Sequence, residues 1–228
     1  MDVTYILVLV AALFSIWASI RVNTTYNKYE KVRSMSGLTG AMAAERILHS
    51  QGIYDVRVEH VSGKLTDHYD PSAKVLRLSD STYGSSSVAA VGVAAHECGH
   101  AVQHARGYAP LQIRGALVPV ANLGSNAGIL LFMVGLFFSS ALGDTMLMLG
   151  IILFSAAVLF QLVTLPVEFD ASARAIKLLE SNGILGQTEL RGTKKVLGAA
   201  ALTYVAGAAT AIIQLARLIL IAGGRDRD

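Results

Sequence analysis

His96-Glu97-Cys98-Gly99-His100 is the part of this sequence best equipped for chemistry. It sits in Ser85–Ala105, an Ala/Val-rich stretch predicted to be a helix, with Ser85, Ser86 and Ser87 as caps at its start and Gly107 just past its end. Residues four apart share a helical face, so both imidazoles can reach one zinc ion. Glu97, beside the first ligand, then has the role of general base, because zinc brings the pKa of a bound water near 7 and a carboxylate can take its proton. Such a pairing suits attack on a peptide carbonyl. The bland alternative is a Glu and two His satisfied by their neighbours. The small apolar residues Val88–Ala95 argue for a buried helix, where unpaired polar groups are costly.

A catalytic zinc needs a third protein ligand and an open fourth position. His104 continues the face but lies eight residues beyond His96, about 12 Å along a straight helix. No glycine between His100 and His104 breaks the helix, so His104 is expected to support the site or lie at the surface. Leu165-Pro166-Val167-Glu168-Phe169-Asp170-Ala171-Ser172 offers acids emerging from an apolar run, with Pro166 suited to the start of a new helix. Glu168 and Asp170 are two residues apart and point about 200° from each other on a helix, so only one can face the metal. Glu168 is the expected ligand and Asp170 the alternative. Either could instead be an ordinary acid complementing a helix N-terminus.

The elements that position these residues are read from composition. The chain has 228 residues, of which 53% are hydrophobic and 15% charged, and its mean hydropathy is +0.51. Soluble domains carry about a quarter charged residues, so a membrane is implied. Spans are predicted at Val3–Ile20, Val120–Leu142, Met146–Leu165 and Val196–Ala222. The first lacks a basic leader and a small-residue cleavage site, so it reads as an uncleaved anchor. The second and third form a hairpin turning at Gly143-Asp144-Thr145. The fourth carries Tyr204, Gln214 and Arg217, and could be a full span or a shallower segment.

Eleven Lys/Arg fall between Arg21 and Arg114 and five between Arg174 and Lys195, while the hairpin turn has none. By the positive-inside rule both basic regions lie in the cytoplasm. The net charge of +3 without a basic stripe excludes a nucleic-acid partner. The one cysteine, Cys98, excludes an internal disulfide and reads as a small buried filler.

The expected fold is mainly α: a multi-pass membrane protein of about four transmembrane helices with a small α+β zincin-like region. Its parts are an anchor (1–21), a cytoplasmic zincin-like region (22–117), a transmembrane hairpin (118–166), a third-ligand helix and loop (167–195) and a C-terminal membrane segment and tail (196–228). In the second part Gly40–Gln51 reads as an amphipathic helix, and Tyr54–Val61 and Lys74–Leu78 as strands. Asp67, His68 and Asp70 read as turn residues, with a cleft or second-ion role as the alternative.

Ala94-Ala95-His96-Glu97-Cys98-Gly99-His100-Ala101-Val102-Gln103-His104 resembles the bacterial neutral zinc metallopeptidases of the membrane, the YugP-like family. So do Asp67-His68-Tyr69-Asp70-Pro71, Thr164–Ser172 and Ala200–Ala206, in the same order. A more distant likeness is to the HtpX-like and CAAX-prenyl-protease membrane peptidases, which pair H-E-x-x-H with a later E-x-x-x-D whose Glu binds zinc. Glu168 matches that Glu, whereas Ser172 stands at the Asp position, so the orienting role passes to Asp170 or is absent.

The resemblance implies a peptidase with Zn2+ on His96, His100 and Glu168, and Glu97 as catalytic base. It further implies a protein or peptide substrate and a place in the cell membrane of a prokaryote, with the site facing the cytoplasm. Asp170, Ser172, Tyr204 and His104 are the candidate supporting or substrate residues, Tyr204 as an oxyanion donor or simply packing. The competing classes are a site-2-type intramembrane protease, whose later Asp-Gly ligand motif is missing, and a non-enzymatic transporter or scaffold with structural zinc.

Overall fold

The computed structural model describes residues 3–225. It is mainly helical, with four long apolar helices and one small sheet, in agreement with the expected class. The elements are α1 (Val3–Glu30), α2 (Gly40–Ser50), β1 (Arg57–Val61), β2 (His68–Asp70), β3 (Val75–Ser79), α3 (Val88–Ala105), α4 (Ala109–Gly135), α5 (Ala141–Ser181) and α6 (Gln187–Arg225). They divide into two compact units. One comprises the chain up to Trp17, Gln112–Pro166 and the chain from Thr203 onward; the other comprises Ala18–Leu111 and Val167–Leu202.

The first unit is built for lipid. α1, α4, α5 and α6 are each long and apolar enough to cross a membrane. Their outward faces expose large apolar side chains, such as Leu13 (57%), Leu130 (66%) and Met148 (65%). Water would penalise that surface, and hydrocarbon does not. Inside the unit, α4 and α5 approach backbone to backbone. A Cβ on Gly128 would lie 3.0 Å from the Gly150 carbonyl oxygen, and one on Gly150 2.8 Å from that of Gly128. Small residues give this close packing where no hydrophobic force drives helices together. At the ends of α1 and α6, Arg217 stacks its guanidinium 5.1 Å from the Tyr5 ring centroid.

The second unit holds the polar chemistry. Its sheet has the order β1-β3-β2, with β1 parallel and β2 antiparallel to β3. β3 reads Val75-Leu76-Arg77-Leu78-Ser79 and is the buried central strand. α2 caps its start with Thr39, whose hydroxyl accepts from the Met42 N–H, and lays Ile47 and Leu48 into the core. α3 starts at Ser87, whose hydroxyl accepts from the Ala90 N–H. Its face of Val91, Ala94, Ala95 and Cys98 packs in the same core as Leu76, Leu78 and Leu179.

Three local expectations are corrected. Pro166 does not begin a helix; α5 runs unbroken through it for 41 residues. The ring removes one backbone donor and crowds the carbonyl four residues back, a cost that membrane helices tolerate. The hairpin turn falls at 136–140 rather than at Gly143-Asp144-Thr145. Gly143 lies in the first turn of α5, where a side chain would collide with the Phe138 carbonyl, so glycine there serves packing rather than the turn. The last helix is continuous from Gln187 to Arg225 and is long and apolar enough to cross a membrane.

Lastly, His68–Asp70 is an edge strand, with its flanking acids acting as braces. Asp67 accepts from the Ser79 N–H (2.8 Å) and hydroxyl (2.9 Å), and Asp70 from the N–H groups of Ser72 (2.9 Å) and Ala73 (3.0 Å). The Ala73 and Ser72 bonds, with Arg77 nearby, hold the Asp70 carboxyl below the usual carboxylate range. Both acids are thus engaged in local structure. Among the described residues they form no second group of metal-ligand donors.

Candidate metal centre

α3 presents His96 and His100 on one face, one turn apart, with their rings 4.8 Å apart and nearly perpendicular. The segment of α5 that begins at Val167 crosses this face and brings Glu168 to it. Glu168 Oε2 lies 3.3 Å from His96 Nε2 and 3.6 Å from His100 Nε2. Donor atoms of all three residues lie within 4.8 Å of one another. Glu168 is 2% exposed, Glu97 8% and His100 8%.

The close crossing depends on Gly99. A Cβ there would stand 2.5 Å from the carbonyl oxygen of Ala171, a backbone atom that cannot swing aside. Gly99→Ala must push α5 away from α3, and Glu168 with it. We expect a loss of about 1–3 kcal/mol of stability, of the size overpacking brings, and weakened zinc binding. Thermal unfolding and zinc titration of the purified variant check both.

The residues present fit a metal. A tetrahedral zinc with bonds of about 2.0–2.1 Å holds its ligand atoms roughly 3.3–3.5 Å apart, and the two nitrogen-to-carboxylate distances are close to that. Two near-buried carboxylates beside two imidazoles also concentrate negative charge, which a low-dielectric site tolerates only with a cation. Burial alone would lower the pKa of His100, but its hydrogen bond to Glu168 and the charges of Glu97 and Glu168 more than offset this and raise it. The pocket is thus set to attract positive charge.

The outer nitrogens are held too. His96 Nδ1 lies 3.1 Å from the Ser172 hydroxyl, and His100 Nδ1 lies 3.0 Å from Gln103 Oε1. Gln103 is completely buried, and its Nε2 donates to the Val167 carbonyl and to Asp170 Oδ2, both at 2.8 Å. Asp170 in turn accepts from Arg174 Nε one turn along α5, and the Arg174 guanidinium lies 5.6 Å from the Tyr108 ring centroid. Both imidazoles are therefore steered from behind, leaving their Nε2 atoms toward Glu168. Partners of this kind fix the ring orientation of a ligating histidine.

The structure thus brings His96, His100 and Glu168 together, with the charge of Glu97 acting on His100. Ser172 touches His96 itself, and Asp170 reaches His100 only through Gln103. His104 stands apart, with its Nδ1 2.8 Å from the Tyr69 hydroxyl. Burial, with help from the Asp55 and Asp70 charges, pushes the Tyr69 phenol up to about 12, so it stays protonated and can donate to that nitrogen. Tyr204 lies on α6 in the apolar unit. Cys98 is fully buried, and burial pushes its thiol well above the usual range.

Gln103 was missed in the sequence reading. Its signal was a lone amide, three residues past His100, on the apolar face of an Ala/Val helix. Gln103→Ala frees His100 Nδ1 and removes one of the two side-chain donors to Asp170, leaving Arg174. We expect zinc affinity to fall roughly 10–100-fold, measured by competition with a chelating dye.

A family model described as "Putative neutral zinc metallopeptidase" matches residues 4–223. The chain is also 48% identical over 226 residues to the "Putative membrane protease YugP" of Bacillus subtilis (strain 168), covering 98% of this chain and 99% of that protein. No solved structure matches the chain. The resemblance read from the motifs is borne out over nearly the whole length: the chain belongs to the family of neutral zinc metallopeptidases.

Proposed function

We propose that this protein is a zinc metalloendopeptidase that hydrolyses peptide bonds of membrane or unfolded proteins at the cytoplasmic face of a prokaryotic cell membrane. The observation that supports the reading is the convergence of His96, His100 and Glu168 in a near-buried site, with the charge of Glu97 acting on His100. A structural zinc has no need of a base there.

His96, His100 and Glu168 would hold the zinc, with Ser172 and the Gln103–Asp170–Arg174 chain fixing the two rings. When bound, zinc supplies Lewis-acid polarisation and lowers the pKa of water. Glu97 takes the proton of the attacking water on its carboxylate and returns it to the departing amine nitrogen, so one residue serves as base and then as acid. The apolar surroundings of α3 exclude bulk water from these transfers. The cytoplasmic orientation is supported by the basic residues, which crowd the segments that carry the donors and spare the hairpin turn. The missing Asp-Gly ligand motif and the polar α+β unit around the donors favour this reading over a site-2-type protease.

The test is cleavage of an unfolded casein-like protein by the detergent-purified chain. A zinc chelator should abolish cleavage and added zinc should restore it. Cleavage that survives full removal of zinc would sink the proposal.

A further inference from the structure

Within the apolar unit, α1, α4, α5 and α6 line an open pocket of about 510 Å³, inside the range of roughly 300–1,000 Å³ usual for ligand sites. Its polar lining is unexpected for helices with the composition of membrane spans: Ser15, Asn122, Ser125, Gln161, Thr210 and Gln214. The hydroxyls are largely occupied. Ser15 donates to the Ala11 carbonyl and meets the Thr210 hydroxyl at 3.2 Å, and Ser125 donates to the Asn122 carbonyl at 3.2 Å. The side-chain amides of Asn122, Gln161 and Gln214 make no hydrogen bond with the described residues. Gly207 leaves room for one of them, since a Cβ there would come within 3.3 Å of Gln161 Oε1.

Unsatisfied amides are costly at membrane depth, and polar groups kept there mark functional sites. Among the described residues no ionisable side chain lines the cavity, which argues against an ion path or a charged ligand. Three primary amides offer donors and acceptors together. A peptide unit answers both at once, with one N–H and one C=O. A helical span has already used those groups internally, so only an unwound stretch presents them in a bilayer.

We propose that this cavity binds the backbone of an unwound, Gly- or Pro-containing stretch of a client protein's membrane segment, by hydrogen bonds from Asn122, Gln161 and Gln214. That the client is also a substrate rests on the peptidase reading above; the binding itself does not.

The test uses the full chain in nanodiscs, carrying Glu97→Gln so that no cleavage intervenes. Two fluorescent transmembrane peptides of Leu and Ala serve as probes, one with a central Gly-Pro pair and one without. The Gly-Pro peptide should bind about tenfold more tightly, which corresponds to roughly 1.4 kcal/mol. Asn122→Leu/Gln161→Leu/Gln214→Leu should erase the preference, and Gln161→Leu alone should reduce it. In a separate assay, the Gly-Pro peptide should protect a cysteine placed by Asn122→Cys from a polar maleimide.

Equal binding of the two peptides, an undiminished preference in the triple variant, or a cysteine that labels equally with and without peptide would overturn the proposal and leave a merely hydrated cavity. A peptide preference without casein cleavage by the wild type would uphold the cavity and sink the peptidase reading. Casein cleavage without a preference would do the reverse.

Discussion

Glu168→Gln is expected to strip the purified protein of zinc. The carboxylate is 2% exposed and its Oε2 lies 3.3 Å from His96 Nε2 and 3.6 Å from His100 Nε2. Glutamine keeps the shape but removes the charge and puts a donor or a neutral oxygen where the two imidazoles converge. The loss of affinity should exceed the roughly 10–100-fold that supporting partners bring, because a ligand and its charge vanish together. Zinc per chain by atomic absorption after dialysis is the measurement. Asp170→Asn provides the comparison. Its carboxylate reaches His100 only through Gln103, so it should lose less zinc than Glu168→Gln.

Glu97→Gln should separate binding from turnover. Glu97 is 8% exposed and makes no hydrogen bond with the described residues, so an isosteric amide disturbs little packing. Zinc content and thermal stability should remain near wild type. Cleavage should fall by about 10²–10⁴-fold, the range that one general acid–base group supplies, and more if the same residue acts in both proton transfers. Turnover of a casein-like chain at matched zinc content measures it.

How far the sequence led depends on the range of the interaction. The three converging donors were legible because their constraints are local or chemical. A four-residue spacing places two histidines on one helical face. An acid at the mouth of an apolar span has few roles to fill. The four long helices were legible because lipid demands long apolar runs. Their true bounds were not, since α5 continues past Pro166 and α6 begins well before the apolar stretch. Hydropathy marks where lipid is tolerated, whereas helix hydrogen bonding continues into polar sequence.

The support behind the histidines was the least legible part. Ser172 looked like the loss of an orienting Asp, yet its hydroxyl touches His96 Nδ1. Gln103 joins α3 to residues 167 and 170 of α5, a contact 64 and 67 residues distant in sequence that no local pattern encodes. Gly99 likewise reads as one of the two free positions of the motif. Only the crossing of α5 makes it the single residue that fits against Ala171.

The most direct test of the peptidase account sets zinc per chain beside the cleavage rate in wild type and Glu97→Gln. Equal zinc is expected in both proteins, with cleavage by the wild type and little or none by the variant. If both hold zinc and neither cleaves any of a varied set of unfolded and membrane substrates, the metal is structural and Glu97 is not a base.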